Sequence, residues 1–129
     1  GCLLSDDGGV TWRAGALFSG GRDLNENACA ELPDGRILFN IRHSDEPRCR
    51  ALAVSEDGGE TARPVRFEEA LPDPRCFGSM VRAGVAVYFV NCEDPRGRVN
   101  LTVKRLDHQA LAQTPPQSLI AGQAQYCRG

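Results

Sequence analysis

The chain has 129 residues and a mass of 14.0 kDa, the size of one small domain or of part of a larger one. With 15 Lys and Arg against 17 Asp and Glu, the net charge is −2, so the charge balance points neither to nucleic acid nor to an anionic membrane surface. Hydrophobic residues make up 41% and charged residues 25%, ordinary globular usage that predicts a buried core rather than disorder. The longest apolar run, Val85 to Val90, stops at Asn91 and is far short of the roughly 20 residues a bilayer-spanning helix requires. The chain opens on Gly1, with no basic stretch leading into an apolar one, so no signal peptide is visible and the expectation is a fragment of a longer protein.

Taken in chain order, the first signal is Ser5-Asp6-Asp7-Gly8-Gly9-Val10-Thr11-Trp12, a turn-forming cluster. Next comes Ala30 to Arg42, where Asp34-Gly35 supplies a turn with φ > 0 and Ile37 to Ile41 the second strand of a hairpin. The opening turn then recurs as Ser55-Glu56-Asp57-Gly58-Gly59-Glu60-Thr61-Ala62, offset by 50 residues. Ser79 to Asn91 repeats the hairpin layout, with a turn at Ala83-Gly84 and an apolar strand, Val85 to Val90, of the kind buried on both faces. A last strand is predicted over Leu101 to Arg105. Short strands bounded by Asp-Gly, Gly-Gly and Pro, with weak helical signals, predict an all-β chain. A period of about 40–50 residues with several strands per period is the signature of propeller blades, so the chain supplies two to three four-stranded blades and cannot close a ring alone.

The cysteines Cys2, Cys29, Cys49, Cys76, Cys92 and Cys127 form no Cys-x-x-Cys, and His43 and His108 stand alone. That spacing predicts free thiols rather than zinc ligands. Six cysteines allow 15 complete pairings, and the sequence does not choose among them.

The pattern Ser-x-Asp-x-Gly-x-Thr-Trp resembles the Asp box of sialidases and related propellers, with copies at 5–12 and 55–62 and a degenerate third near 105–112. On this resemblance residues 1–129 form one partial propeller domain, from a six-bladed sialidase-type ring. The box is structural: its Asp accepts backbone hydrogen bonds, its Gly takes φ > 0 and its Trp is expected to pack beneath the hairpin. Ala62 replaces the Trp in the second copy, so that blade is expected to be less well anchored.

Further matches narrow the resemblance to exo-α-sialidases, most closely the lysosomal type. Asn25-Glu26, followed by Glu31-Leu32-Pro33-Asp34-Gly35 and Asn40-Ile41-Arg42, resembles the stretch that supplies the catalytic Glu and the second arginine of the substrate clamp. The resemblance places Glu26 and Arg42 in those roles. Pro74-Arg75-Cys76-Phe77-Gly78-Ser79 resembles an architectural segment between blades. Arg98-Val99-Asn100-Leu101-Thr102-Val103 is similar to the strand bearing the third clamp arginine, which makes Arg98 the candidate and Arg96 its rival. Gly122-Gln123-Ala124-Gln125-Tyr126 resembles the segment that carries the nucleophile, Tyr126. The family's first arginine and its Asp general acid would lie upstream of Gly1.

The chemistry explains the residue types. Sialic acid carries a carboxylate beside its anomeric carbon, which suits permanently charged bidentate guanidiniums and repels an Asp or Glu nucleophile. A neutral phenol avoids that repulsion but needs an adjacent base to take its proton. The resemblance implies release of terminal sialic acid from glycoproteins, gangliosides or oligosaccharides, with no cofactor and no metal, in a lysosomal or extracellular setting. The alternative is a non-catalytic Asp-box propeller module that binds glycans or a protein partner. Asn100-Leu101-Thr102 is also a glycosylation sequon, for which packing on a strand is the expected use.

Overall fold

The computed structural model describes residues 1–107, 109–110 and 120–125, and for 121, 123 and 125 the backbone alone. The strands are β1 (Leu3–Leu4), β2 (Arg13–Ala14), β3 (Asn27–Glu31), β4 (Ile37–Ile41), β5 (Cys49–Ser55), β6 (Arg66–Pro72), β7 (Ser79–Ala83), β8 (Ala86–Cys92), β9 (Leu101–Leu106) and β10 (Ile120–Gln125). They form three antiparallel sheets: the hairpin β1-β2, the four-stranded sheet β3-β4-β5-β6 and the four-stranded sheet β10-β9-β8-β7. Each four-stranded sheet is a simple up-and-down meander, the form of a propeller blade. The chain is all-β and a partial β-propeller. Gly35 (φ 85°) and Gly84 (φ 61°) occupy the two expected hairpin turns, where a side chain would be strained.

The two meanders face each other in the same orientation. Where β3 and β7 end, Arg82 donates to the carbonyl of Leu32 at 3.4 Å; where β5 and β9 begin, Arg48 donates to that of Pro95 at 3.3 Å. Between them lies a core of Leu32, Leu38, Leu52, Leu71, Met80, Val87, Phe89 and Leu106. A second cluster, Phe39, Ile41, Ala51 and Ala53, covers the opposite face of β3–β6 and packs against Cys2, Phe18 and Leu24. Thus the β3–β6 sheet is covered on both sides, and its strand β5 is buried almost throughout. This corrects the expectation for Val85 to Val90: β8 alternates, with Val87, Phe89 and Asn91 fully buried and Ala86, Tyr88, Val90 and Cys92 half-buried. Its apolar run reflects two faces of unequal burial. Gly78 sits where the connection between the sheets crosses β8, and a Cβ there would meet the Phe89 ring at 2.5 Å.

Polar side chains are also buried between the sheets. Arg50, in the middle of apolar β5, has no solvent exposure and lies 5.5 Å from the centre of the Phe89 ring. Its Nε donates to Asn40 Oδ1 (2.6 Å), and its Nη1 donates to the carbonyl of Cys76 (2.7 Å) and to Asp73 Oδ2 (3.3 Å). Asn91 Nδ2 donates to the same Asp73 oxygen (3.0 Å) and to the carbonyls of Pro72 and Cys92 (2.8 and 2.9 Å). Lys104 Nζ donates to Asn91 Oδ1 (2.7 Å) and lies 3.8 Å from Glu93. A chain of charge-assisted bonds therefore runs from β5 to β9 through the Asp73 turn.

The two Gly-Gly turns sit at the other end of the sheets, between β1 and β2 and between β5 and β6. In each, the carboxylate accepts from a hydroxyl and a backbone amide of one threonine: Asp7 from Thr11 and Asp57 from Thr61. Those bonds, with one from Ser5 or Ser55, hold both acids at about 2. Trp12 departs from the expected packing. It is 61% exposed, with Nε1 donating to its own turn at Gly9 O (3.0 Å). Ala62, in the second turn, is partly buried and packs against the second apolar cluster. A small residue suits a turn covered by its neighbour: Ala16 N donates to Gly59 O (2.8 Å), and Arg13 bonds Glu60. The degenerate third copy falls partly outside the described residues, at the β9–β10 connection.

Two expectations follow. Replacing Asp73 with Ala leaves Arg50 charged and buried without its carboxylate, so stability should fall by about 3–5 kcal/mol in urea unfolding. Asp57 ionises at about 2 when folded against 3.8 when not, so its stabilising effect is complete above about pH 4 and disappears as pH falls through 2. The melting-temperature gap between wild type and Asp57→Asn should accordingly be widest above pH 4 and narrow toward pH 2.

Candidate active site

Register alone brings Glu26 and Arg42 together. Asn27 pairs with Ile41 at the edge of the β3–β4 ladder, and the next step of the same register sets Glu26 opposite Arg42. Their backbones continue the ladder, with Arg42 N donating to Glu26 O (2.9 Å) and Asn25 N donating to Arg42 O (3.1 Å). Their side chains meet across this step, with Arg42 Nη1 3.4 Å from Glu26 Oε2. Neither is buried: the side chain of Arg42 is 29% exposed and that of Glu26 is 49%.

The Arg42 guanidinium is held from behind. Its Nε donates to the carbonyl of Arg75 (2.8 Å), and its Nη1 also donates to Asn25 Oδ1 (3.3 Å). Arg75 presents that carbonyl from a left-handed conformation (φ 63°), inside a turn whose Cys76 N donates to Asp73 Oδ1 (2.9 Å). Among the described residues Arg42 Nη2 has no hydrogen-bond partner, while Nε and Nη1 are both engaged. Continuing the β4–β5 register sets Arg42 beside Arg50, whose own charge is matched by Asp73. Burial, opposed by the Asp73 carboxylate, lowers the Arg50 pKa, while Arg42 beside it pushes in the same downward direction as burial.

The other site candidates fall differently. Arg98 lies in the loop between β8 and β9, three residues before the strand rather than on it, and is exposed. That loop shares an end of the fold with Glu26 and Arg42, through the contact of Arg48 with Pro95. Among the described residues the Arg98 side chain makes no hydrogen bond or ion pair, and none joins it to Arg42. Tyr126 lies outside the described residues. The strand before it, β10, ends with Gln125 opposite Thr102, at the end where β9 begins.

A cleft of about 560 Å³ opens beside these residues, lined by Glu46, Arg48, Glu69, Pro72, Pro95 and Arg96. It holds Arg96 rather than Arg98, and neither Glu26 nor Arg42 lines it. Thr102 of the sequon is buried, with its hydroxyl bonded to Glu93 (3.1 Å) and to the carbonyl of Asn100 (2.7 Å). His43, next to Arg42, is buried against Phe67, with Nδ1 accepting from Asp45 N (3.1 Å); burial lowers its pKa. Among the described residues no group of three His, Cys, Asp or Glu side chains is arranged to hold a metal ion, and no helix is long and apolar enough to cross a membrane.

Sequence reasoning does not single out Arg50, Asp73, Asn91 or Lys104. Each reads alone as an ordinary polar residue, and only the packing of two sheets reveals them as one network. Arg75 carries a weak signal, its place between Pro74 and Gly78 in a strand-free stretch.

No protein-family model matches the chain. Over 81 residues it is 48% identical to a protein described as "Sialidase" from Micromonospora viridifaciens, a match that covers 63% of this chain and 12% of that protein. The chain thus spans about an eighth of the length of this relative. Among solved structures it resembles the intramolecular trans-sialidase of Ruminococcus gnavus in complex with oseltamivir carboxylate, at a TM-score of 0.67 and 18% identity over 98% of this chain and 28% of that one. It also resembles the leech intramolecular trans-sialidase complexed with 2,7-anhydro-Neu5Ac, at 0.64 and 18% over 95% and 19%, and a Dyadobacter fermentans protein of unknown function, at 0.62 and 20% over 93% and 33%. At these identities the structural matches establish the shared fold. The 81-residue match shows that this stretch of the chain is similar to part of a protein described as a sialidase.

The half-exposed Glu26–Arg42 pair should contribute little to folding. Glu26→Gln is expected to shift the urea midpoint by the equivalent of less than about 1 kcal/mol, well below the effect of Asp73→Ala.

Proposed function

We propose that the chain is part of a retaining exo-α-sialidase that releases terminal sialic acid from glycoconjugates. The observation that carries this reading is the Glu26–Arg42 pair at the open end of β3–β4, with the guanidinium Nη2 without a partner among the described residues and a carboxylate beside it. The match to a sialidase at 48% identity supports it. Both Gly-Gly turns, with Asp7 and Asp57, read as Asp boxes and lie away from this end.

In the proposed reaction Arg42 and Arg98 hold the sugar carboxylate, and Arg98 swings in from its exposed loop. Glu26 accepts the proton of the Tyr126 hydroxyl, and the phenol oxygen forms a bond to the anomeric carbon. The bond from that carbon to the glycosidic oxygen breaks, and the leaving alcohol takes a proton from a general acid. Water then attacks the same carbon, releases sialic acid and returns the phenol. The general acid and a further arginine are assigned to the rest of a longer protein. Lysosomal or extracellular action, on glycoproteins, gangliosides or oligosaccharides, belongs to the same proposal.

The test is turnover of a fluorogenic sialoside by the complete protein. Glu26→Gln should lower kcat by roughly 100-fold or more, as expected for loss of a general base. Arg42→Ala and Arg98→Ala should mainly raise KM, and Tyr126→Phe should remove the covalent route. Near-normal turnover in folded Glu26→Gln and Tyr126→Phe variants would overturn the assignment. Retained glycan binding without any turnover in the wild-type protein would favour the non-catalytic alternative.

A further inference from the structure

A buried imidazole directly follows Arg42. The His43 ring is 2% exposed, with its centre 4.6 Å from that of the Phe67 ring. Its Nδ1 accepts from Asp45 N (3.1 Å), so the ring is neutral and carries its proton on Nε2. This bond closes a tight turn over residues 43–45. From that turn Asp45 Oδ2 accepts from Arg22 N (2.6 Å), in the loop between β2 and β3. The same loop leads into the site: Asn25 Nδ2 donates to Asp23 O (2.6 Å), and Asn25 Oδ1 accepts from Glu26 N (2.7 Å) and from Arg42 Nη1 (3.3 Å). One buried ring is therefore tied, through Asp45 and residues 22–25, to both members of the Glu26–Arg42 pair.

We propose that His43 is a positioning residue whose neutral ring latches, through Asp45, the loop that carries Asn25 and Glu26, and that a proton on Nδ1 opens the latch. A protonated Nδ1 is a donor facing the Asp45 amide, another donor, so their bond is lost and repulsion replaces it. The Asp45 carboxylate is then drawn toward the new charge and away from Arg22 N. Burial lowers the His43 pKa from 6.5 and is the largest influence on it; the backbone of Cys49 and the Asp45 carboxylate favour the charged ring, while Arg50 on β5 and Arg75 on the β6–β7 connection oppose it. From β6 the ring meets Phe67, and the β2–β3 loop brings Arg22, whose amide meets Asp45. A released ring takes its proton near 6.5 and the latched ring only at lower pH, so the latch is complete above about pH 6.5 and gives way as pH falls below it.

With the latch open, Asn25 loses the loop that holds its side chain, and Glu26 and Arg42 lose the acceptor they share. That this pair works on a sialoside rests on the proposed function. The latch itself rests on hydrogen bonds that can be followed without turnover. His43→Asn separates the two properties of the ring, because an amide oxygen at this position can accept from the backbone two residues on but takes no proton.

The experiment is a two-dimensional NMR titration of the folded protein from about pH 7.5 to about pH 5, a range that spans the usual titration of histidine. The chain has two histidines, and the His43 ring signals are assigned by their loss in His43→Asn. The expected result is a His43 midpoint below 6.5, with the Arg22 amide proton moving upfield at the same midpoint as it leaves the carboxylate. In His43→Asn the Arg22 amide should stay in place across the range. If that variant fails to fold, the shared midpoint in the wild type still decides. An Arg22 amide that stays put while His43 titrates, one that moves alike in His43→Asn, or a His43 ring that takes no proton above about pH 5 would overturn the proposal. In the complete protein, kcat/KM for a fluorogenic sialoside should fall roughly tenfold further over this range in the wild type than in His43→Asn, and equal falls would overturn the link to the site. A wild-type protein without turnover would contradict the proposed function instead, and the titration would still decide the latch.

Discussion

A guanidinium buried in the middle of an apolar strand is the constraint on which the rest of this structure depends. Arg50 has no access to water, and a cation in that position is tolerated only where every donor is answered. The answers come from three directions: Asn40 on the neighbouring strand, Asp73 at the end of β6, and the carbonyl of Cys76 in the connection to the next sheet. Asp73 in turn serves Asn91, which serves Lys104, the other fully buried cation. Two carboxylates, Asp73 and Glu93, stand against two buried cations. The two sheets are thus locked at a defined offset, which an apolar interface alone would leave freer to slide.

The site inherits its geometry from that lock. The Asp73 turn cannot move without abandoning Arg50, so Arg75 keeps its left-handed conformation and its carbonyl stays under Arg42. On the other side the hairpin register holds Glu26 opposite. This end of the sheets therefore carries a half-exposed pair of charges on a fixed frame, the arrangement on which the proposed function rests. The opposite end of the sheets is devoted to stability: the Asp7 and Asp57 turns are joined through Arg13 and Glu60, and their carboxylates are saturated by threonine and backbone donors.

Local chemistry made much of the fold legible. Gly35 and Gly84 mark hairpin turns because few other residues tolerate φ > 0, and the recurrence of Asp-Gly-Gly at Asp7 and Asp57 marks successive sheets. Glu26 and Arg42 are named by the resemblance alone, and it is the register of the Gly35 hairpin in the structure that sets them opposite each other. The expectations that the structure corrects have separate causes. The apolar run at Val85 reads as doubly buried, yet the strand with both faces covered is β5, which a central arginine disguises. Trp12 reads as an anchor and folds back on its own turn. Arg98 was expected on a strand and lies in the loop before it, because Asn100 turns the chain with φ 56° before β9 begins.

The central claim, that the buried Asp73 network sets the position of the Glu26–Arg42 step, is tested most directly by residue-resolved amide hydrogen exchange in Asp73→Asn. This substitution keeps the shape of the side chain and removes its charge. The account predicts that protection falls at Cys76, Arg42 and Asn25, whose amides depend on the turn or extend the ladder beside it, while Gly59 and Thr61 in the distant turn keep theirs. Unchanged exchange at Arg42 and Asn25, or an equal loss at all five amides, would contradict it.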